Sequence, residues 1–163
     1  MQSADPEQTF SQLTDAEKHT FVEAMAPTTV TTTELTTDQA MPMRASNGCW
    51  NQQIQQDYRS NFGFVTYRLF VSSHWCAEND RITSHSITGA SGQKVAPGYT
   101  FEGISAQGAT NYGDRGVSVA QGHFKVWDAP EWIPGTHHYP CARQTTFPGR
   151  SEASGHIGGS CMP

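Results

Sequence analysis

The sequence predicts an all-β protein: a small antiparallel β-sandwich or barrel with two disulfides and a short N-terminal helix on an extended arm. Three observations carry that expectation. In Phe64-Val65-Thr66-Tyr67-Arg68-Leu69-Phe70-Val71, Val65, Tyr67, Leu69 and Val71 alternate with Phe64, Thr66, Arg68 and Phe70, the period-two pattern of a strand. Short runs of this kind recur between Gly, Pro and Asn turn signals, with one short helical pattern near the start. The cysteines are four, an even number, in a chain of 163 residues that is 15% charged and 36% hydrophobic. Thr, Ser, Gln, Asn and Gly fill the difference, a profile that suits an extracellular β protein.

Two units follow from composition. Residues 1–45 form an acidic arm with two basic and seven acidic residues, and residues 46–163 form a disulfide-stapled domain with eight of each. All of the net charge of −5 therefore falls in the arm. A neutral domain argues against a nucleic-acid or anionic-membrane surface, which needs clustered Lys and Arg. No apolar run approaches the length of a membrane span. The opening Met1-Gln2-Ser3-Ala4-Asp5 reads as a mature N-terminus behind an initiator Met, so secretion with removal of an export signal is expected.

Along the chain, residues 1–12 are polar and expected to be loose. Thr14-Asp15-Ala16-Glu17 is a capping box, starting a helix over about 14–26 that stops before Pro27. Its apolar stripe is Phe21, Val22 and Met25, too narrow for the helix to stand alone, so it must dock on this domain or on a partner. Residues 28–37 hold seven threonines. They read either as a solvated linker or as an edge strand anchored by Val30 and Leu35. Asn61-Phe62-Gly63 is a turn signal before the strongest strand. If Phe62-Gly63 were a two-residue hairpin loop, Cys49 and Cys76 would lie equally far from its midpoint and directly opposite each other. Opposed antiparallel residues come within reach of a disulfide. The expected bridges are thus Cys49–Cys76 and, by elimination, Cys141–Cys161; a longer loop would shift the register by one or two.

Ala77 to Asp80 is expected as the next turn, followed by a strand over 81–88, a loop over 89–98 and a short strand over 99–101. A Gly/Asn-rich loop is expected over 105–116 and a strand over 117–127. Residues 128–163, rich in Pro, Gly and Ser, are expected to be irregular and ordered only where pinned.

Chemistry-bearing residues are sparse. No Cys-x2-4-Cys pair or His-Glu-x-x-His spacing marks a metal site. Adjacent His137 and His138 point to opposite faces of an extended segment. His123 with Asp128 or Glu131 is the one arrangement that brings a further ligand to either of them. The plainer reading is surface histidine, and no metal or cofactor is expected. Gly103 to Gly108 misses the nucleophile-elbow spacing by one residue, and a triad of Ser105, His123 and Asp114 has no motif behind it. Glu102, Asp114, Asp128 and Glu131 are the domain's candidates for paired carboxylates, with solvated surface acids as the plainer reading. Trp127, Trp132 and Tyr139 are the better clue. They read either as a contact face of the kind that anchors protein or sugar ligands, or as core plugs beneath a long loop.

Gly48-Cys49-Trp50, His74-Trp75-Cys76 with Asn79 and Arg81-Ile82-Thr83, Pro97-Gly98-Tyr99 with Phe101-Glu102-Gly103, and Gln121-Gly122-His123-Phe124-Lys125 together resemble small exported Cys-rich proteins of actinobacteria. The resemblance covers residues 47–127. It implies no catalytic residues; some similar proteins serve as adaptors in secreted assemblies, including toxin particles. The expected function is therefore a secreted, non-catalytic interaction module or adaptor. It would bind another extracellular protein partly through the arm, with Phe21, Val22, Met25, Val30 and Leu35 as anchors. The alternatives are a carbohydrate-binding module using Trp127, Trp132 and Tyr139, and a hydrolase using His123, His137 or His138 with an acid.

Overall fold

The computed structural model describes residues 5–36, 47–126 and 135–163. Two helices, α1 (Pro6–Ser11) and α2 (Asp15–Met25), precede the strands β1 (Pro27–Thr36), β2 (Gly48–Ser60), β3 (Val65–Glu78), β4 (Arg81–Lys94), β5 (Tyr99–Asn111), β6 (Gly116–Val126), β7 (His137–His138), β8 (Cys141–Phe147) and β9 (Arg150–His156). The strands form two antiparallel sheets, β1-β2-β3-β4 and β5-β6-β8-β9, with β7 also paired to β6. The all-β expectation holds, and both expected disulfides form. The sheets stack face to face, and β4 lies along β5 and β1 along β9, so they also meet at their edges.

The first hairpin shows how local chemistry sets the register. Cys49 opposes Cys76, Ile54 opposes Val71 and Tyr58 opposes Tyr67, as expected. The loop itself is longer than two residues. Ser60 and Phe64 are joined by a 2.9 Å backbone hydrogen bond around Asn61-Phe62-Gly63, and Gly63 takes φ +81°. A three-residue loop closed by a left-handed glycine is a standard hairpin solution. A bulge between Tyr58 and Arg59 restores the register. The extra residue, Thr66, turns its carbonyl to the amides of Val95 and Ala96 and its hydroxyl to the Met25 carbonyl. The next turn is the expected one: Asn79 and Asp80 both have positive φ, as a two-residue hairpin of right-handed twist requires.

Several segments are more regular than expected. Residues 5–12 are not loose: α1 is capped by Asp5, and its buried Phe10 meets the Phe21 ring edge-on at 5.4 Å. Strand β4 continues through Lys94, so residues 89–94 are not loop. Residues 105–111 belong to β5 rather than to an exposed loop. Within the part of 128–163 that is described, β7, β8 and β9 are regular strands, and only residues 157–163 form the irregular, bridge-pinned tail that was expected. The Thr-rich segment is the edge strand of the two readings, pairing with β2 from Pro27 to Thr36.

The interior has two characters. One half is apolar: Ile54, Tyr58, Tyr67, Leu69, Val71, Tyr99, Phe124 and Val126 are buried together, with Tyr67 stacked on Phe124 at 4.1 Å. The other half is polar and closed by hydrogen bonds across the sheets. Gln144 Nε2 donates to Gln52 Oε1 at 2.9 Å, Ser151 donates to the same oxygen, and Ser73 Oγ donates to Ser118 Oγ at 2.9 Å. On β6, Ser118, Ala120 and Gly122 face this interior, while Val117 and Val119 face outward. There they are covered by the C-terminal tail, which Cys141–Cys161 ties down. Further bonds from Arg143 to the Met162 carbonyl, Tyr112 to the Pro163 carbonyl and Gln121 to the Gly159 carbonyl fix its course.

Candidate binding surfaces

Among the described residues, the arm's expected apolar anchors turn toward its own domain. Thr14 and Glu17 form the full capping box that starts α2. From α2, Val22 and Met25 pack against the apolar core, and Val30 joins them from β1. Phe21 is half-buried against Phe10, and Leu35 is half-buried on the edge strand. Tyr99 donates its hydroxyl to the Val22 carbonyl at 3.2 Å, and Lys94 Nζ pairs with Glu7 at 2.7 Å. Thus all five expected arm anchors are at least half taken up inside the chain. Among the described residues, what the arm's strand leaves exposed is polar: Thr28, Thr29, Thr31, Thr32, Thr33 and Glu34 of β1.

Among the described residues, the most exposed aromatic rings lie next to that strand, at the tip of the first hairpin. Phe62 is 68% exposed and Phe64 64%. The loop beneath them is braced. Arg59 Nη1 donates to the Gly63 carbonyl at 3.0 Å, its Nε to Thr31 Oγ1 at 3.0 Å, and its Nη2 to buried Asp57 at 3.0 Å. Arg68 approaches the other Asp57 oxygen at 2.9 Å. One buried carboxylate between two guanidinium groups therefore locks the base of the tip and ties it to the arm strand. Asn61-Phe62-Gly63 was legible as a turn, with Phe64 read into the strand after it; two aromatics flanking a turn glycine were the available clue to their exposure.

A second surface lies on the outer face of the second sheet. His123 on β6 and His137 on β7 meet, Nε2 to Nδ1, at 2.8 Å. The Tyr139 ring, 41% exposed, stacks on His123 at 4.7 Å and 12°. At that separation one imidazole donates and the other accepts, so the pair holds a proton between its two rings. The pairing of His123 with one member of the His137-His138 doublet, weighed in the sequence, is thus formed. His138 points the opposite way, into the interior, where it accepts from Tyr67 Oη at Nδ1 (3.2 Å) and donates from Nε2 to the Gly135 carbonyl (2.9 Å). Burial holds its pKa below the usual value, and neighbouring His137 adds to the effect, against the hydrogen bond to Gly135. Trp127, Trp132, Asp128 and Glu131 lie outside the described residues. Among the described residues, no carboxylate bonds to His123 or His137.

Other groups named in the sequence do not assemble into a site. Ser105 donates to the Gln121 carbonyl, and Asp114 pairs with Arg115 on the surface. Glu102 accepts from Thr100. A Ser–His contact that sequence reasoning missed does exist: Ser118 Oγ lies 3.3 Å from His85 Nε2. Both Ser118 and its neighbour Ser73 are fully buried between the sheets, which makes the set structural. Desolvation lowers the His85 pKa, as expected for a neutral imidazole in that seam.

No family model, no curated protein and no solved structure matches the chain. No helix among the described residues is long and apolar enough to cross a membrane.

Proposed function

We propose that this chain is a secreted, non-catalytic interaction module. It docks another extracellular protein through the Phe62–Phe64 tip, with the exposed threonine face of β1 alongside. The observation that carries this reading is the pair of exposed rings on a braced loop. Aromatic side chains have few rotatable bonds, and carried on a braced loop they lose little backbone entropy on binding and supply the desolvated centre typical of protein interfaces. Relative to the expectation from sequence, the contact moves from the arm's apolar anchors, which serve the chain's own core, to the hairpin tip that the arm flanks. The fitting partner offers an apolar cleft. A basic rim on that cleft complements an arm that carries all of the net negative charge.

Capture from culture supernatant of the producing organism supplies candidate partners; the decisive measurement is calorimetry with the purified partner. Replacing both rings in the F62S/F64S variant is expected to weaken Kd about thirtyfold or more while leaving the β-sheet signal in circular dichroism unchanged. Equal affinity of the variant and the native chain would reject the tip as the site.

A second reading has its own observation. Tyr139, laid flat on His123 beside His137, is an exposed aromatic platform on a sheet face, and such platforms take sugar rings. Glycan binding that survives F62S/F64S and disappears in Tyr139→Ala would favour a carbohydrate-binding module.

A further inference from the structure

The outer face of the first hairpin carries a group that neither binding surface uses. Cys49 and Cys76 are opposed across β2 and β3, and the next pair along, two residues away on the same face, is Asn51 and His74. The two sulfur atoms and an imidazole nitrogen of His74 lie within 4.8 Å of one another. His74 Nδ1 is 2.9 Å from Asn51 Oδ1. A carbonyl oxygen only accepts, so Nδ1 carries the ring proton and Nε2 carries the lone pair. That lone pair is 3.6 Å from Cys76 Sγ. In a tetrahedral zinc site, bonds of about 2.3 Å to sulfur and about 2.0 Å to nitrogen place the two ligand atoms about 3.5 Å apart. The imidazole therefore already stands at ligand distance from the sulfur, in the ligand tautomer, and is oriented by an outer-shell amide as metal-bound histidines are.

We propose that this face is a thiol-gated site for zinc. With the bridge closed, the sulfurs are bonded to each other and offer no thiolate. A small-molecule thiol reductant, RSH, opens it: two RSH and the Cys49–Cys76 disulfide give RSSR and two cysteine thiols. The two thiols then lose two protons to solvent as Cys49 Sγ, Cys76 Sγ and His74 Nε2 take up one Zn²⁺, with solvent in the fourth position. Cys49 is exposed, so the reductant has access, and Cys76 and His74 are only half-buried. The sulfurs are on the opposite face from the core rings Trp50 and Trp75, so parting them leaves no hole in the interior.

The test uses the full chain, reduced with a phosphine, desalted without oxygen and titrated with Co²⁺ and then Zn²⁺. Expected is one equivalent of Co²⁺ with sulfur-to-cobalt charge-transfer absorption, displaced by Zn²⁺, with sheet circular dichroism retained. The unreduced chain is expected to show no such band. The C49S/C76S variant, which keeps Cys141 and Cys161, is expected to lose it. His74→Gln is expected to weaken binding at least tenfold, with an unreduced melting curve like the native one. Retention of the band in C49S/C76S would place the metal on the other cysteine pair and overturn the proposal. So would unchanged affinity in His74→Gln, or a reduced chain that unfolds and is not restored by Zn²⁺.

Discussion

At the scale of single residues, the fold depends on polar side chains placed where apolar ones are usual. His138 is the clearest case. It sits among Tyr67, Tyr99 and Phe124 as a neutral imidazole, donating from Nε2 and accepting at Nδ1. Protonating it would desolvate a cation and force the buried Tyr67 hydroxyl to stop donating to Nδ1 and accept from it instead. Its folded-state pKa is depressed, so its contribution is fully present above the unfolded value of 6.5. That contribution is lost as pH falls below 6.5 and levels off below the depressed value. His85 acts with the same sign. Chemical denaturation across this range should show stability falling with acidification. His138→Gln should flatten the decline without removing it, since His85 remains; an unaltered slope would show that His138 does not titrate across folding.

Among the elements, the strands owe their close approach to glycine and serine rather than to large apolar residues. A Cβ on Gly122 would lie 2.6 Å from Leu69 Cδ2 and 3.0 Å from the Phe124 ring. Gly122→Ala is therefore expected to cost about 2 kcal/mol in urea unfolding, from overpacking between the sheets. A cost near zero would mean that the sheets can part freely at that point. The same chemistry explains what the sequence concealed. Strand β3 was legible because its buried positions read Tyr67, Leu69, Val71; farther on the same face they read Ser73 and Trp75, and the partner face reads Ser118, Ala120, Gly122. Hydrophobic alternation fades where the inward positions are small or polar. On β4, β5 and β9 these are half-buried, as at Ala90, Gly92, Gly108, Thr110, Ser151, Ala153 and Gly155, and on β8 they are the buried Gln144 and Thr146, so these stretches read as loop or irregular chain. The capping box of α2 and the Cys49–Cys76 register were legible because each depends on a fixed local spacing. The tip was legible as a turn, but its bracing was not, because Arg59, Asp57 and Arg68 converge beneath it from two strands.

For the whole molecule, the C-terminal tail is an outer layer rather than an appendage. It covers Val117 and Val119 on a face that would otherwise be open, and one bridge with three hydrogen bonds sets its position. Replacing that bridge in a C141S/C161S variant should cost about 3 kcal/mol, the usual effect of opening a loop of this length. The tail should then exchange its amides faster while β2 and β3 stay protected. Uniform loss of protection would instead make the tail part of a single cooperative unit. The sequence required pinning for this segment to order and named the right cysteines, but the surface that receives the tail was hidden in the odd-numbered positions of β6.

The placement of the two bridges has a topological consequence. Cys49–Cys76 closes within the first sheet and Cys141–Cys161 within the second. Residues 95–98, between β4 and β5, are therefore the one covalent thread between the two sheets. A single peptide-bond cleavage there would leave two cyclised halves held together by packing and hydrogen bonds alone. In covalent connectivity the sandwich is a pair of separate rings on one string, and its unity as a fold rests on the interior and the two edges where the sheets meet.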